Sequence, residues 1–474
     1  MTELRSDICV IGGGPAGASM ARRLVMLGHS VILIEKTSFP RHHIGESITA
    51  AVLPLLEILG VRDRIENAGF LRPRGALLCW AAPDVYYREA PGEAGFQVER
   101  PLFDSLLLAA ARSAGVVVLQ PARILALEHA KAGAWRIRVR TVHGLVLVRS
   151  RALADTSGRR CVTGGRKQID SPATLAISGY WRNVPAPGEE TRIEAGPDEW
   201  YWGAPLARGE FNATVFIDPS RYRPGVLKAG SPERFYVELL GRSRLLRTCL
   251  AGQLARQPLA HDATCYSDCN TVTAQRIRAG EAAFTIDPLS SQGVTAAIGS
   301  ALHGATVLHT ILERPSDTAI AIGFYRNRMR VSVTLHSRAA RQFYSDAAER
   351  LPSPFWLARK QPRDPPREVE IAGMSHPEND ALVSLSKEVR IAPVPISIDD
   401  FITTSPGVFA PGLDSPAVFL NRIPLAPLFA NVVGPEPVSD LLERWEKSIS
   451  AGDARKVLQW ALAGKILFVL RKPA

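Results

Sequence analysis

Gly12, Gly14 and Gly17 constrain this chain more tightly than any other feature. They form a GxGxxG that follows an apolar run, Asp7 to Ile11, and opens a stretch of helical spacing from Pro15 to Leu27, which Gly28 ends. Ser30 to Glu35 is a second apolar strand, so the segment reads as a βαβ unit. The first glycine permits the turn, the second lets the backbone approach a pyrophosphate, and the third lets helix and strand pack closely. Pro15 and Ala16 begin the helix whose free N–H groups face the phosphates. Glu35, 21 residues past Gly14, stands where an acid binds an adenosine ribose, with Lys36 beside it. A dinucleotide site follows from this set.

With 474 residues the chain is too long for one ordinary core, and two or three domains are expected. Its 46% hydrophobic and 22% charged residues are globular composition and exclude a disordered or fibrous chain. No window reaches the 18 or so apolar residues of a membrane span, and Cys9 to Ile11 is too short for a signal-peptide core. A cytoplasmic protein with no membrane partner is expected. Cys9, Cys79, Cys161, Cys249, Cys265 and Cys269 form no CxxC pair, which favours buried free thiols and no metal. The net charge of +11 is spread over the chain rather than gathered beside aromatics, so nucleic acid is not expected as a partner.

The pattern implies an α/β fold: a Rossmann-type nucleotide domain from residues 1–80, 97–165 and 270–350, with a mostly antiparallel β-sheet substrate domain inserted at 81–96 and 166–269. Phe103 to Ala114, Gly293 to Leu312 and Ser316 to Arg350 read as helices, and Trp135 to Arg140 with Leu145 to Leu153 as a hairpin. The Pro- and charge-rich segment 351–393 reads as a linker, and 394–474 as a small, largely helical C-terminal unit with helices at Val438 to Ser448 and Asp453 to Val469.

Beyond the glycines, Phe39-Pro40-Arg41-His42-His43-Ile44-Gly45-Glu46-Ser47 resembles the FPRxxxGES signature of flavin-dependent halogenases and their monooxygenase relatives. Gln97-Val98-Glu99-Arg100 with Phe103-Asp104, Asp155-Thr156-Ser157-Gly158-Arg159, Trp200-Tyr201-Trp202-Gly203-Ala204-Pro205 and Asp287-Pro288-Leu289-Ser290-Ser291-Gln292-Gly293 resemble four further family segments, in family order. The resemblance implies non-covalent FAD. Gly12, Gly14, Pro15, Ala16, Gly17, Glu35, Lys36, Arg41, Ser47, Gln97, Arg100, Asp155, Glu281, Asp287, Pro288, Ser291, Gly293 and Val294 are then the candidate cofactor residues. Glu281 stands where the family usually has Asp. The Asp287 turn opens a helix whose free N–H groups would face the flavin pyrimidine, which becomes anionic on reduction.

Glu46, Trp200, Trp202 and Arg72 are the candidate catalytic residues. Glu46 also reads as an N-terminal helix charge beside the Ser47 cap, and the two tryptophans as core aromatics on one strand face. Halogenases of this resemblance carry a lysine that aims hypohalous acid. Here the matching stretch is Gly69-Phe70-Leu71-Arg72-Pro73-Arg74-Gly75, and no lysine occurs from Thr37 to Ala130. An arginine keeps its proton and presents a fork rather than a point charge. The resemblance therefore favours direct transfer of oxygen from a flavin C4a-hydroperoxide to an electron-rich ring. It is most similar to the flavoprotein monooxygenases of quinohemoprotein amine dehydrogenase biogenesis, which act on a tryptophan within a partner polypeptide during tryptophylquinone formation. O2 is then a co-substrate, and NADH, NADPH or a separate flavin reductase supplies electrons. Arg326, Arg328, Arg330, Arg338 and Arg341 on the helix after Ser316 offer an acidic partner a docking face, though such a stripe is usually a solvated face. A halogenase, a small-molecule monooxygenase, a geranylgeranyl-reductase-like flavoenzyme and a non-catalytic FAD-binding protein remain alternatives.

Overall fold

The first strand is Thr2–Ile11, and its second half (Ile8, Cys9, Val10, Ile11) is buried completely or nearly so. A continuous apolar run of this kind suits a strand covered on both faces, as in a parallel sheet. It pairs in parallel with Val31–Ile34 and with Gly144–Asp155, so that Ile11 stands opposite Ile34 on one side and Asp155 on the other. The strand order is Val272–Thr273, Arg276–Arg278, Gly144–Asp155, Thr2–Ile11, Val31–Ile34, Val117–Leu119, with a hairpin extension of Ala122–His129 and Trp135–Thr141. Helix Pro15–Met26 connects the first two of these strands in sequence and buries Ala16, Ala18, Met20, Ala21 and Leu24. Each fully buried larger aliphatic side chain here contributes about 1.5–3 kcal/mol.

This computed structural model describes residues 2–90, 92–129, 133–360 and 377–470. The chain divides into two units, Met1–Gln361 and Pro362–Ala474. Within the first, a second eight-stranded sheet has at its centre Leu175–Arg182, Glu210–Ile217, Glu199–Pro205 and Thr191–Ala195, all antiparallel. Gly75–Cys79 joins it in parallel beside Thr191–Ala195. The chain thus enters the second sheet before residue 80, where a boundary was expected. Alternation marks a strand but not which sheet receives it.

Helix Gly293–Glu313 is long and apolar enough to cross a membrane, yet most of its apolar length is buried inside the protein. It packs on helix Pro15–Met26 and is followed by the 33-residue helix Thr318–Arg350. Five cysteines are buried as expected, but Cys269 is exposed.

The segment expected as a linker differs at both ends. Pro354–Leu357 is a short helix that buries Phe355 and Trp356, and Leu382–Leu385 and Arg390–Ile398 are strands of the second unit. Residues 361–376 lie outside the described set. The second unit is mixed. Helices Val438–Glu446 and Ala451–Ala463 pack around Phe429 and Trp445, and a hairpin pairs Arg390–Ile398 with Phe401–Phe409. The last predicted helix stops at Ala463, and Leu467–Val469 pairs instead with Leu382–Leu385. Non-local pairing of this kind leaves no short-range signal.

Candidate active site

The glycines divide their work by what surrounds them. Gly12 has φ +102°, a left-handed conformation, and a Cβ there would lie 2.5 Å from the Thr156 carbonyl oxygen. A Cβ on Gly17 would sit 1.8 Å from the Gly12 oxygen, so helix and strand close only over glycine. Gly14 faces open space, with Arg41 Nη2 at 3.1 Å the one atom within 4 Å of an added Cβ. Glu35, buried at the end of its strand, accepts from Gly13 N at 2.6 Å through Oε2 and from Thr37 N at 2.8 Å through Oε1. It clamps the turn to the strand while lining the cavity with Lys36.

The FPRxxxGES segment crosses this cradle. Arg100, buried, makes a two-pronged contact with Asp104 (2.9 and 3.2 Å) and donates to the Ile44 carbonyl. Arg41 lies 3.6 Å from the same Asp104, over the Phe39 ring, and its buried Nε has no partner among the described residues. Ser47 pairs with Gln97 in a two-residue ladder, and Val98 N donates to the Glu46 carbonyl at 2.8 Å. Glu46 is only 4% exposed. Its Oε2 accepts from Gly45 N at 2.9 Å, and its Oε1 from the Tyr180 hydroxyl. Burial raises its pKa above the usual carboxylate value, against the opposing pull of the Tyr180 hydrogen bond and the Arg100 charge. His43 beside it is pushed down to about 4, by burial first and then by Arg100.

On the far side, the Asp287 turn delivers Pro288 and Ser291 (φ +52°) to the cavity and opens helix Gly293–Glu313. Gly293 has open space where a Cβ would stand. Asp287 itself accepts from Leu289 N at 3.0 Å and from Tyr344 OH at 2.9 Å, and burial raises its carboxyl. Glu281 projects into the cavity, accessible there yet set deep among protein atoms, which raise its carboxyl by desolvation. The floor is the second sheet. Ala176 and Ser178, with Phe216 and Thr214 opposite them and Trp202 beyond, present one face to the cavity.

These elements enclose one cavity of about 620 Å³ that runs from the glycine turn to the sheet floor. Two helix N-termini, at Gly14–Ala16 and at Gly293–Val294, point free amides into it. The donor set fits FAD: a glycine cradle for the pyrophosphate, Glu35 for a ribose, an orphaned Arg41 nitrogen, and a second helix terminus for an anionic pyrimidine.

Of the residues singled out from sequence, Gly12, Gly14, Pro15, Ala16, Glu35, Lys36, Arg41, Glu46, Ser47, Arg100, Trp202, Glu281, Pro288, Ser291, Gly293 and Val294 line this cavity. Gly17, Gln97, Asp155, Asp287, Trp200 and Arg72 do not. Gly17 and Asp287 shape the turns, and Gln97, fully buried, donates to Thr191 Oγ1 at 2.8 Å. Asp155 accepts from Ser157 and Thr163 and so holds the loop that does line the cavity. Trp200 is core, stacked on Phe216 at 3.6 Å between ring centroids and packed edge-on against Trp80. Arg72 is spent on Glu66, Glu93 and the Ala94 carbonyl at the surface, over the Phe96 ring. Sequence reasoning missed Tyr180, Ser178, Thr214 and Phe216. The alternation Ala176, Ser178, Tyr180, Arg182 puts Ser178 and Tyr180 on one face, but it does not set Tyr180 against Glu46 or Thr214 and Phe216 beside them.

A family model described as an FAD binding domain matches residues 5–151. The tryptophan 2-halogenase of Chondromyces crocatus is 30% identical over 372 residues, covering 75% of this chain and 70% of the relative. In fold, the crystal structure of the flavin-dependent halogenase CmlS matches with TM-score 0.81 at 20% identity, covering 98% of this chain and 96% of that one. The peptidyl tryptophan dihydroxylase QhpG, essential for tryptophylquinone cofactor biogenesis, matches with TM-score 0.73 at 23% identity, covering 97% and 99%. The site geometry and these matches together place the chain in the flavin-dependent halogenase and monooxygenase family, as an FAD-dependent oxidoreductase.

Proposed function

We propose that this enzyme hydroxylates an aromatic side chain, tryptophan, within a partner polypeptide, using FAD and O2, in the biogenesis of a protein-derived quinone cofactor. The observation that carries the reading is the cavity wall. Among the described residues Lys36 is the one lysine that lines it, at the ribose end, and Arg72, in the position of the halogenase lysine, is tied into a surface ion-pair cluster. Among the described residues no ammonium thus stands over the floor to hold hypohalous acid, whereas oxygen transfer to an electron-rich ring needs position and exclusion of water. FAD, when bound and reduced, supplies the electrons that activate O2. The chain's own part is to hold the cofactor between two helix termini, offer an apolar floor of Trp202 and Phe216 to the ring, and keep a carboxyl, Glu46, ready for proton exchange. Likeness of fold over nearly the whole chain to a peptidyl tryptophan dihydroxylase supports the polypeptide substrate.

Halogenation is the second reading, favoured by the 30% identity to a tryptophan 2-halogenase. Intact mass after reduction of the holoenzyme, addition of oxygen and chloride, and incubation with tryptophan-containing polypeptides separates the two. A gain of one or two oxygens is the expected result; a gain of chlorine on the polypeptide or on free tryptophan would overturn the proposal.

A further inference from the structure

A second cavity of about 650 Å³ adjoins the first. Tyr180, Arg182, Arg208 and Arg256 line it, and His42, His43, Glu46 and Arg100 border both. The wall between the two carries an unusual amount of polar chemistry for a sheet face that elsewhere shows Trp202 and Phe216. Ser178 Oγ lies 2.9 Å from Thr214 Oγ1, which donates to Asn212 Oδ1 at 2.8 Å. Asn212, fully buried, stands opposite Tyr180 in the strand register, and its Nδ2 has no hydrogen-bond partner among the described residues. Tyr180 is capped by the Arg256 guanidinium, 3.7 Å from its ring centroid, and gives its hydroxyl proton to a hydrogen bond with Glu46.

We propose that Tyr180 is a positioning residue for Glu46, fixing this carboxyl on the wall between the cavities so that it passes protons from the second cavity to the flavin side. The proposal rests on the oxygen-transfer reading. When one oxygen atom is placed on an aromatic ring, a C–O bond forms, the O–O bond and a C–H bond break, and the second oxygen leaves as water. The anionic reduced flavin would bring two electrons and one proton, so the balance is ArH + O2 + FADH⁻ + H⁺ → ArOH + H2O + FAD, and one further proton must reach a site that excludes bulk water. Of the groups on the shared wall, Arg100 is committed to Asp104, His42 is exposed and the half-buried His43 is held neutral, which leaves Glu46 as the buried group able to change charge. The charged and titratable groups that face it are Arg100 and Asp104 from the helix after Glu99, His42 and His43 from its own segment, Tyr180 from the sheet, and Arg256 beyond it.

The test uses the FAD-loaded full chain. Infrared difference spectra across a pH series follow the protonated carboxyl C=O band, assigned by its loss in Glu46→Gln. Tyr180→Phe removes a hydrogen bond that favours the carboxylate, so the band should titrate at higher pH, and the alkaline limb of the kcat profile, where a proton donor is lost by ionisation, should move the same way with KM little changed. Glu46→Gln should lower kcat roughly a hundredfold and abolish that limb. Tyr180→Leu, checked for FAD content, guards against a phenylalanine that packs too well. A band that titrates identically in wild type and both Tyr180 variants would overturn the positioning role. A shifted band without any oxygenated polypeptide would instead support that role while sinking the functional reading beneath it.

Discussion

Gly14 and Gly17 belong to one turn, yet the chain needs them for different reasons. A methyl group on Gly17 collides with backbone inside the fold, whereas one on Gly14 enters the cavity. Gly17→Ala is therefore expected to destabilise the apo-protein by about 3 kcal/mol, the upper end of overpacking costs, measured by denaturant unfolding. Gly14→Val should leave apo-stability nearly unchanged and abolish FAD binding in a fluorescence titration. Equal losses in both assays for both variants would contradict the division. Glu46 carries a second expectation. Its folded pKa is raised above the unfolded value, so its contribution to stability is fully present below the unfolded pKa and is lost as pH rises through the folded one. The melting temperature of Glu46→Gln relative to wild type should accordingly rise from mildly acidic to mildly alkaline pH. A difference that stays flat, or falls, would mean that Glu46 ionises without cost.

At the scale of the element, helix Thr318–Arg350 has two faces. Tyr344 on the inner one bonds Asp287 and steadies the turn before the Gly293 helix. On the outer one Arg326, Arg328, Arg330, Arg338 and Arg341 are exposed, although Arg326 and Arg341 also donate to backbone carbonyls and Arg328 to His303. If the outer face receives an acidic polypeptide, Arg330→Glu with Arg338→Glu should raise KM for that substrate about tenfold, and added salt should do the same to wild type. Oxidation of free tryptophan should respond to neither. An unchanged polypeptide KM would leave the stripe a solvated face.

For the molecule as a whole, what lies near the flavin is decided by how two sheets and two helix termini meet, and Arg72 shows the consequence. Its position in the sequence points to chemistry, but the fold sends it to a surface cluster with Glu66 and Glu93. Arg72→Ala should change kcat/KM by less than about twofold, since it removes only partly exposed ion pairs. A loss of two orders of magnitude would bring Arg72 back into the reaction.

The βαβ cradle, the order of the family segments and most of the candidate cofactor residues were legible in the chain alone, because each is a local pattern: a turn that only glycine can make, an acid at fixed spacing, a helix opening after a proline turn. The tertiary structure alone decided which strand joins which sheet, why Gly75–Cys79 leaves the nucleotide domain, and why the C-terminal unit contains the Arg390–Ile398 and Phe401–Phe409 hairpin. It also decided that of two tryptophans two residues apart Trp202 faces the cavity and Trp200 the core, and that Tyr180, 134 residues from Glu46 in the chain, meets its carboxylate. Alternation gives a side chain its face of a strand, but what stands across from that face depends on contacts distant in sequence, which leave no mark on the local pattern.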